Sequence, residues 1–309
     1  MIVISGVVQP VQDKISTSIR LPMRERLAAQ WTSWAGDSWT ITDPASPVFA
    51  LVGATGLSGT DPEHWWSSAP SIDGSSWDGL RVPQGEVFMP IRIDGSSADD
   101  FLATRDAFRK SLNARQVSTL RLTRPDGTWR EIDCRYVSGK DQPIEPDPLM
   151  VRRETLPITW ATADPYWRGE SVTVTFPFSV PAPLFPGPKF KIGSSRRLGN
   201  ATVTNLGDVD TYAVWKITRP FTGFTVGVGD SVVTMGAGTG HSVTIDATPG
   251  VLTMLDAEGT DVWEYATEED LMGMAIPAGQ SVPLTTVLEG AGAGSSVSVT
   301  FTPRYEGGW

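Results

Sequence analysis

Hydrophobic positions in this chain change their spacing several times, and each change marks an element. In "EVFMPIRID" apolar residues recur at every second position, the period of a half-buried strand. Pro90 inside that run has no N–H to donate, which predicts an edge strand or a bulge. The following "SSADDFLATRDAFRKSLNA" switches to a helical period, with Phe101, Phe108 and Leu112 on one face and Leu102 beside it. Ser96 or Ser97 is placed to cap that helix. Asp99 and Asp100 sit in its first turn, and Arg109 and Lys110 in its last, as the helix dipole favours. "STLRLTRPDGTWREIDCRYVSG" returns to alternation as a hairpin, with Pro125 and Gly127 shaping the turn. Leu156, Ile158 and Trp160 alternate again and stop at Asp164-Pro165, followed at once by Tyr166 and Trp167.

Two stretches before the helix read differently. "MIVISGVVQP" and a run ending near Leu21 have strand character. Residues 43–85 are rich in Gly, Pro, Ser and Trp, which predicts long irregular structure acting as a functional loop or an interface arm. The first half is therefore expected to be α+β, with about six strands and one helix.

The second half shows strand periods throughout. "SVTVTF", "ATVTN", "TYAVWKITRP", "GFTVGVG", "SVVTM", "HSVTID", "VLTMLD", "DVWEY" and "SVSVTFTPRY" follow one another at short intervals, with turn signals such as "NLGD" and "DAEG" between them. That spacing predicts a β-sandwich or jelly roll, with at most a helical turn at "TEEDL". The expected division is residues 1–165 and 166–309, with a Pro-rich connecting segment near 177–199.

Composition narrows the function. A chain of 309 residues with 40% hydrophobic content is long enough for two cores. The net charge of −10 argues against nucleic-acid binding. From Phe221 to Pro303 there is no Lys or Arg, so that surface should repel anionic polymers. Lys189, Lys191, Arg196 and Arg197 gather in the connecting segment, where they are candidates for contact with an acidic partner. Cys134, the one cysteine, alternates with Ile132 and Tyr136 and reads as a buried strand residue. No apolar run approaches the roughly 20 residues of a membrane span, and the start lacks the basic n-region and cleavage site of a signal peptide.

Catalytic signatures are sparse. HExxH, paired CxxC, GxxxxGK[ST] and GxSxG do not occur, and His64 and His241 are the only histidines. Glu264, Glu268, Glu269 and Asp270 form the densest carboxylate cluster, which reads as a solvated turn ahead of a glycosidase pair or a weak calcium site. No catalytic residue, cofactor or metal is assigned. Among 12 tryptophans, Trp65, Trp66 and Trp77 lie in the long loop, where they suit either a protein interface or stacking on sugars.

The order of these features resembles the distal tail protein (Dit) family of long, flexible-tailed bacteriophages. The resemblance rests on the Trp-rich loop, "EVFMPIRID", the helix, "RPDGTWREIDCRYVSG", "ITWATADPYW", "ATVTNLGDVDTYAVWKITRP", "IDATPGVLTM" and "SVTFTPRYEGGW". It implies an α+β belt domain that closes into a homohexameric ring, followed by an all-β galectin-like sandwich. The implied role is structural and non-catalytic, at the tail tip of a virion assembled in the host cytoplasm. The implied partners are the tail tube protein, the tail-tip hub or tail-associated protein, and receptor-binding proteins, without nucleic-acid binding or membrane insertion. The alternative is a carbohydrate-binding module contacting the host surface. Asp164, Pro165, Tyr166 and Trp167 are read as a packed joint between the two domains.

Overall fold

The structure, a computed structural model, describes residues 26–71, 73–141, 147–177, 195–197, 202–236, 240–271 and 273–309. The strands expected before Leu21 lie outside the described residues. The first half contains β1 (Ala28–Thr32), β2 (Ser38–Thr40), β3 (Val48–Ala50), β4 (Glu63–Ser67), β5 (Ser76–Arg81) and β6 (Gly85–Asp94). Helix α1 (Ala98–Ser111), β7 (Ser118–Thr123), β8 (Trp129–Ser138), the short helix α2 (Pro148–Val151), β9 (Arg153–Thr162) and β10 (Trp167–Arg168) follow.

Six of these strands flank one another, with β3, in the order β2-β1-β7-β8-β9-β6-β3. All of the pairings are antiparallel. The two ends of this sheet approach each other, because the amide of Ala50 donates to the carbonyl of Ile41 just beyond β2. The alternation read from the sequence sets the register. Val87, Met89 and Ile91 stand opposite Trp160, Ile158 and Leu156, and all six are buried. Burying residues like these contributes about 1.5–3 kcal/mol per side chain. Helix α1 adds Phe101 and Phe108 to the same core. Ser97 is its N-cap and accepts from the Asp100 amide, while Asp100 accepts from the amide and hydroxyl of Ser96. Those hydrogen bonds hold the Asp100 carboxyl below its ordinary pKa. Cys134 is fully buried, and burial pushes its thiol pKa far up, which leaves it an inert core side chain.

Three expectations for this half are corrected. Residues 43–85 are not irregular: they contain β3 and an isolated antiparallel hairpin of β4 and β5. Gly and Ser masked its strand period, because its side chains cover no core. The number of strands exceeds six for the same reason. Pro90 lies neither in an edge strand nor at a bulge of β6, which has β9 on one side and β3 on the other. It is tolerated because β3 pairs only with Ile91–Ile93, so at Pro90 the sheet needs just a carbonyl, which accepts from the Leu51 amide.

The second half contains β11 (Val172–Pro177), β12 (Ser195–Arg197), β13 (Thr202–Thr204), β14 (Thr211–Thr218), β15 (Gly223–Val228), β16 (Ser231–Met235), β17 (Val243–Asp246) and β18 (Thr253–Asp256). Then come β19 (Ala266–Glu269), β20 (Ala275–Ile276), β21 (Ser281–Glu289), β22 (Ser296–Phe301) and β23 (Arg304–Tyr305). One sheet runs β11-β22-β14-β17-β18 and another β12-β21-β15-β16-β19. Trp215, Ile245 and Val299 of the first share one core with Phe224, Val233 and Leu288 of the second. Strand β21, the hub of its sheet, was not anticipated. Pro283 interrupts its pattern and the inward position 286 is a threonine. "DVWEY" forms a 3₁₀ turn at Trp263–Tyr265 where a strand was expected, and "TEE" is strand β19 where a helical turn was expected. The acids there are spread along an extended edge, paired with β16.

The architecture is thus two antiparallel β cores with little helix. They are joined by two chain passages, since β23 leaves the second core and pairs with β10 beside β8.

Candidate functional site

Two surfaces gather the residues singled out from sequence: the junction between the cores and the β4–β5 hairpin.

At the junction, Asp164-Pro165 ends the extended run of β9. The Asp164 carboxylate accepts from the Tyr166 amide at 3.2 Å and from Arg304 at 2.8 and 3.0 Å. The Arg304 guanidinium also lies 4.6 Å from the Tyr166 ring centre. Burial, above all, raises the Tyr166 phenol pKa, with Glu306 and Asp164 acting in the same direction against Arg304. Trp167 is fully buried in the first core, and its backbone pairs with Tyr305. Alongside, the Gly169 amide donates to the Pro303 carbonyl, so the two passages between the cores are tied to each other.

The closing residues complete this arrangement, and sequence reading did not assign them a role. Arg130 donates to the Gly307 carbonyl at 2.6 Å and stacks 3.5 Å from the Tyr305 ring centre. The Gly308 amide donates to Leu57. A Cβ on Gly308 would stand 2.5 Å from the end of the Leu122 side chain and 3.1 Å from the Trp167 indole, so any side chain there would have to displace both. The adjacent glycines of "YEGGW" are the signal that points to this close approach.

Two open clefts flank the junction. One, of about 610 Å³, is bordered by Asp61, Leu80, Tyr166, Asp208, Asp210 and Glu306. The other, of about 490 Å³, is bordered by Asp164, Arg168, Tyr212, Thr300 and Arg304.

The hairpin carries Trp65, Trp66 and Trp77 on strands that bury almost nothing. His64 stands opposite Leu80, and Trp66 opposite Trp77. The Trp77 indole N–H donates to His64 Nδ1 at 3.1 Å, and the His64 ring lies 6.2 Å from Trp66, so these side chains share a face. On the other side, Arg81 lies 6.0 Å from the Trp65 ring centre and pairs with Glu63 at 2.8 Å.

Of the basic candidates, Lys189 and Lys191 lie outside the described residues. Arg196 and Arg197 belong to β12, where their backbones pair with Leu288 and Val287. The acids 264–270 do not form the one close His/Asp/Glu triple found among the described residues. That triple is His241, Asp256 and Glu258, with ligand atoms within 4.8 Å. Asp256 also organises its own turn, accepting from the Thr260 and Glu258 amides, and these bonds lower its pKa.

No protein-family model matches the sequence, and no curated protein does. Solved structures do. The Dit protein of phage SPP1, described as a paradigm of the hub of the adsorption apparatus in phages infecting Gram-positive bacteria, superposes with a TM-score of 0.61 at 13% identity. That match covers 89% of this chain and 98% of the other. A chain of the phage P2 baseplate in its activated conformation with calcium matches at a TM-score of 0.53 and 9% identity, covering 90% and 98%. The same baseplate with strontium matches at 0.52, again with 9% identity and 90% and 98% coverage. In fold, the chain is similar to the SPP1 Dit protein and to this phage P2 baseplate chain across both of its cores.

Proposed function

We propose that this protein is a structural component of a phage tail tip, where six copies close into a ring that links the tail tube to the hub and host-recognition proteins. The observation that carries this reading is the extent of the fold likeness, which takes in both cores and nearly all of the SPP1 Dit chain at once. The first half then serves as the ring-forming belt and the second as a galectin-like sandwich docking neighbouring proteins, with the division near residue 165. The role is mechanical, without catalysis. Asp164, Pro165, Tyr166 and Trp167 act as the joint that fixes the angle between the halves. Two tied chain passages and the Arg304 contacts support that reading, because a joint with two strands resists swivelling more than a single linker does. Lys189, Lys191, Arg196 and Arg197 serve a partner with an acidic surface.

The test is negative-stain imaging of the purified full chain, in which rings of about six copies are expected. Discrete monomers that bind immobilised glycans, and lose that binding in Trp65→Ala/Trp66→Ala, would replace this reading with a carbohydrate-binding module.

A further inference from the structure

The β17–β18 pair ends in a group of side chains that a mechanical role at the tail tip does not use. Strand β17 runs antiparallel to β18 with Val243 opposite Asp256. Carried two positions further, that register sets residue 241 opposite residue 258, on the same side of the ribbon as Asp256. His241, Asp256 and Glu258 do meet there. Their ligand atoms all lie within 4.8 Å of one another, and His241 Nε2 stands 3.6 Å from Glu258 Oε1. Strand β18 is at the edge of its sheet. The loop joining β17 to β18 borders the junction cleft through Thr248 and Pro249, so the group sits at the end of the pair away from the first core.

A closed turn holds two of the three. Asp256 Oδ1 accepts from the Glu258 amide at 2.8 Å and from the Thr260 amide at 2.9 Å, which leaves Oδ2 outside the turn. The backbone adds two bonds, from the Asp256 amide to the Thr260 carbonyl at 2.9 Å and from the Gly259 amide to the Asp256 carbonyl at 3.1 Å. The Thr260 bond first, then the Glu258 bond and the nearby His241, lower the Asp256 pKa, so this carboxyl is ionised at neutral pH. The His241 and Glu258 side chains are 45 and 68% exposed, so the group is open to solutes.

We propose that His241, Asp256 and Glu258 bind one divalent transition-metal ion of the zinc class, with a fourth position open to water or to a ligand from outside. Three observations carry this. The first is distance. Ligand atoms of a tetrahedral site with bonds of about 2.05 Å stand roughly 3.3 Å apart. The His241–Glu258 separation is within a few tenths of that. Any wider gap in the group closes by rotation of the exposed Glu258 side chain. The second is ligand type. An imidazole with two carboxylates suits zinc, cobalt or nickel, whereas calcium takes 6–8 oxygens. Asp256 Oδ1 is already engaged by the turn, so this group offers calcium too few. The third is charge. No Lys or Arg occurs from Phe221 to Pro303. One base approaches from the end of β14: the Arg219 guanidinium stands 3.7 Å from where a Cβ on Gly240 would be, and 5.9 Å from the Phe221 ring centre. Two carboxylates outweigh that single charge and favour a divalent cation between them.

The test is isothermal titration of the tag-free full chain with zinc chloride, in buffer without phosphate or chelator. One ion per chain is expected. His241→Ala should weaken binding by about tenfold or more, and so should Asp256→Asn, which keeps an oxygen for the turn but loses the charge. His64→Ala, at the other histidine, should leave it unchanged, and calcium chloride should bind the wild-type chain at least about tenfold more weakly than zinc. Because His241 is exposed, His241→Ala should keep its unfolding midpoint without metal, and zinc should raise the midpoint of the wild-type chain alone. Cobalt should give the visible absorption of a tetrahedral site in the wild type and lose it in His241→Ala. Absence of zinc binding by the folded wild-type chain, or equal binding by wild type and His241→Ala, would overturn the site and leave a solvated ion pair.

Discussion

Two groups among the 12 tryptophans of this chain do opposite things. Trp31, Trp160, Trp167 and Trp215 are fully buried and close the two cores. Trp65, Trp66 and Trp77 stand half exposed on a hairpin that touches neither core. The first group shares strands with other inward apolar residues at period two, as Trp160 does with Leu156 and Ile158. The second group is surrounded by Ser, Asp, Gly and Glu, so no period tells it where to point. The same side chain thus closes a core in one place and faces solvent in the other, and neighbours decide which.

Substitutions should separate the two populations. The largest effect is expected from Trp215→Ala, which empties the centre of the second core and should cost about 3–5 kcal/mol in thermal or denaturant unfolding. Trp215→Phe should cost much less. It keeps most of the ring, and it removes an indole N–H that has no hydrogen-bond partner among the described residues. Trp167→Ala should cost about 3 kcal/mol, because Trp167 is a core residue that also seats the closing strand. It should in addition broaden the small-angle scattering profile, and an unchanged profile would count against the joint. Arg304→Ala removes a partly exposed ion pair and a ring contact, so it should cost no more than about 1 kcal/mol by the same unfolding measurement. Smallest of all, Trp66→Ala/Trp77→Ala should shift unfolding by less than about 0.5 kcal/mol while reducing self-association in sedimentation. A large loss of stability there would erase the distinction between the two populations.

Much of this architecture is legible in the sequence, for reasons that differ by element. The helix was readable because Ser97, Asp99, Asp100, Phe101 and Phe108 all agree on one answer. The first core was readable because β6 and β9 alternate without interruption. Strand β21 was hidden by Pro283 and by Thr286 at an inward position. The hairpin was hidden because a strand with no core to face has no reason to alternate. The return of Arg304–Gly308 to the first core was invisible for another reason: it depends on contacts with Asp164, Arg130 and Leu57, more than 130 positions away in sequence. Asp164 and Pro165 follow directly on the end of β9, where the alternation stops, but their contact with Arg304 has no local signature.

The central claim is that the molecule is a mechanical part of a phage tail tip. Gold-labelled antibody against the full chain, imaged on purified phage particles that carry it, tests this most directly. The account predicts label confined to the distal end of the tail. Label along the tail, on the capsid, or only in material released from the particles would contradict it.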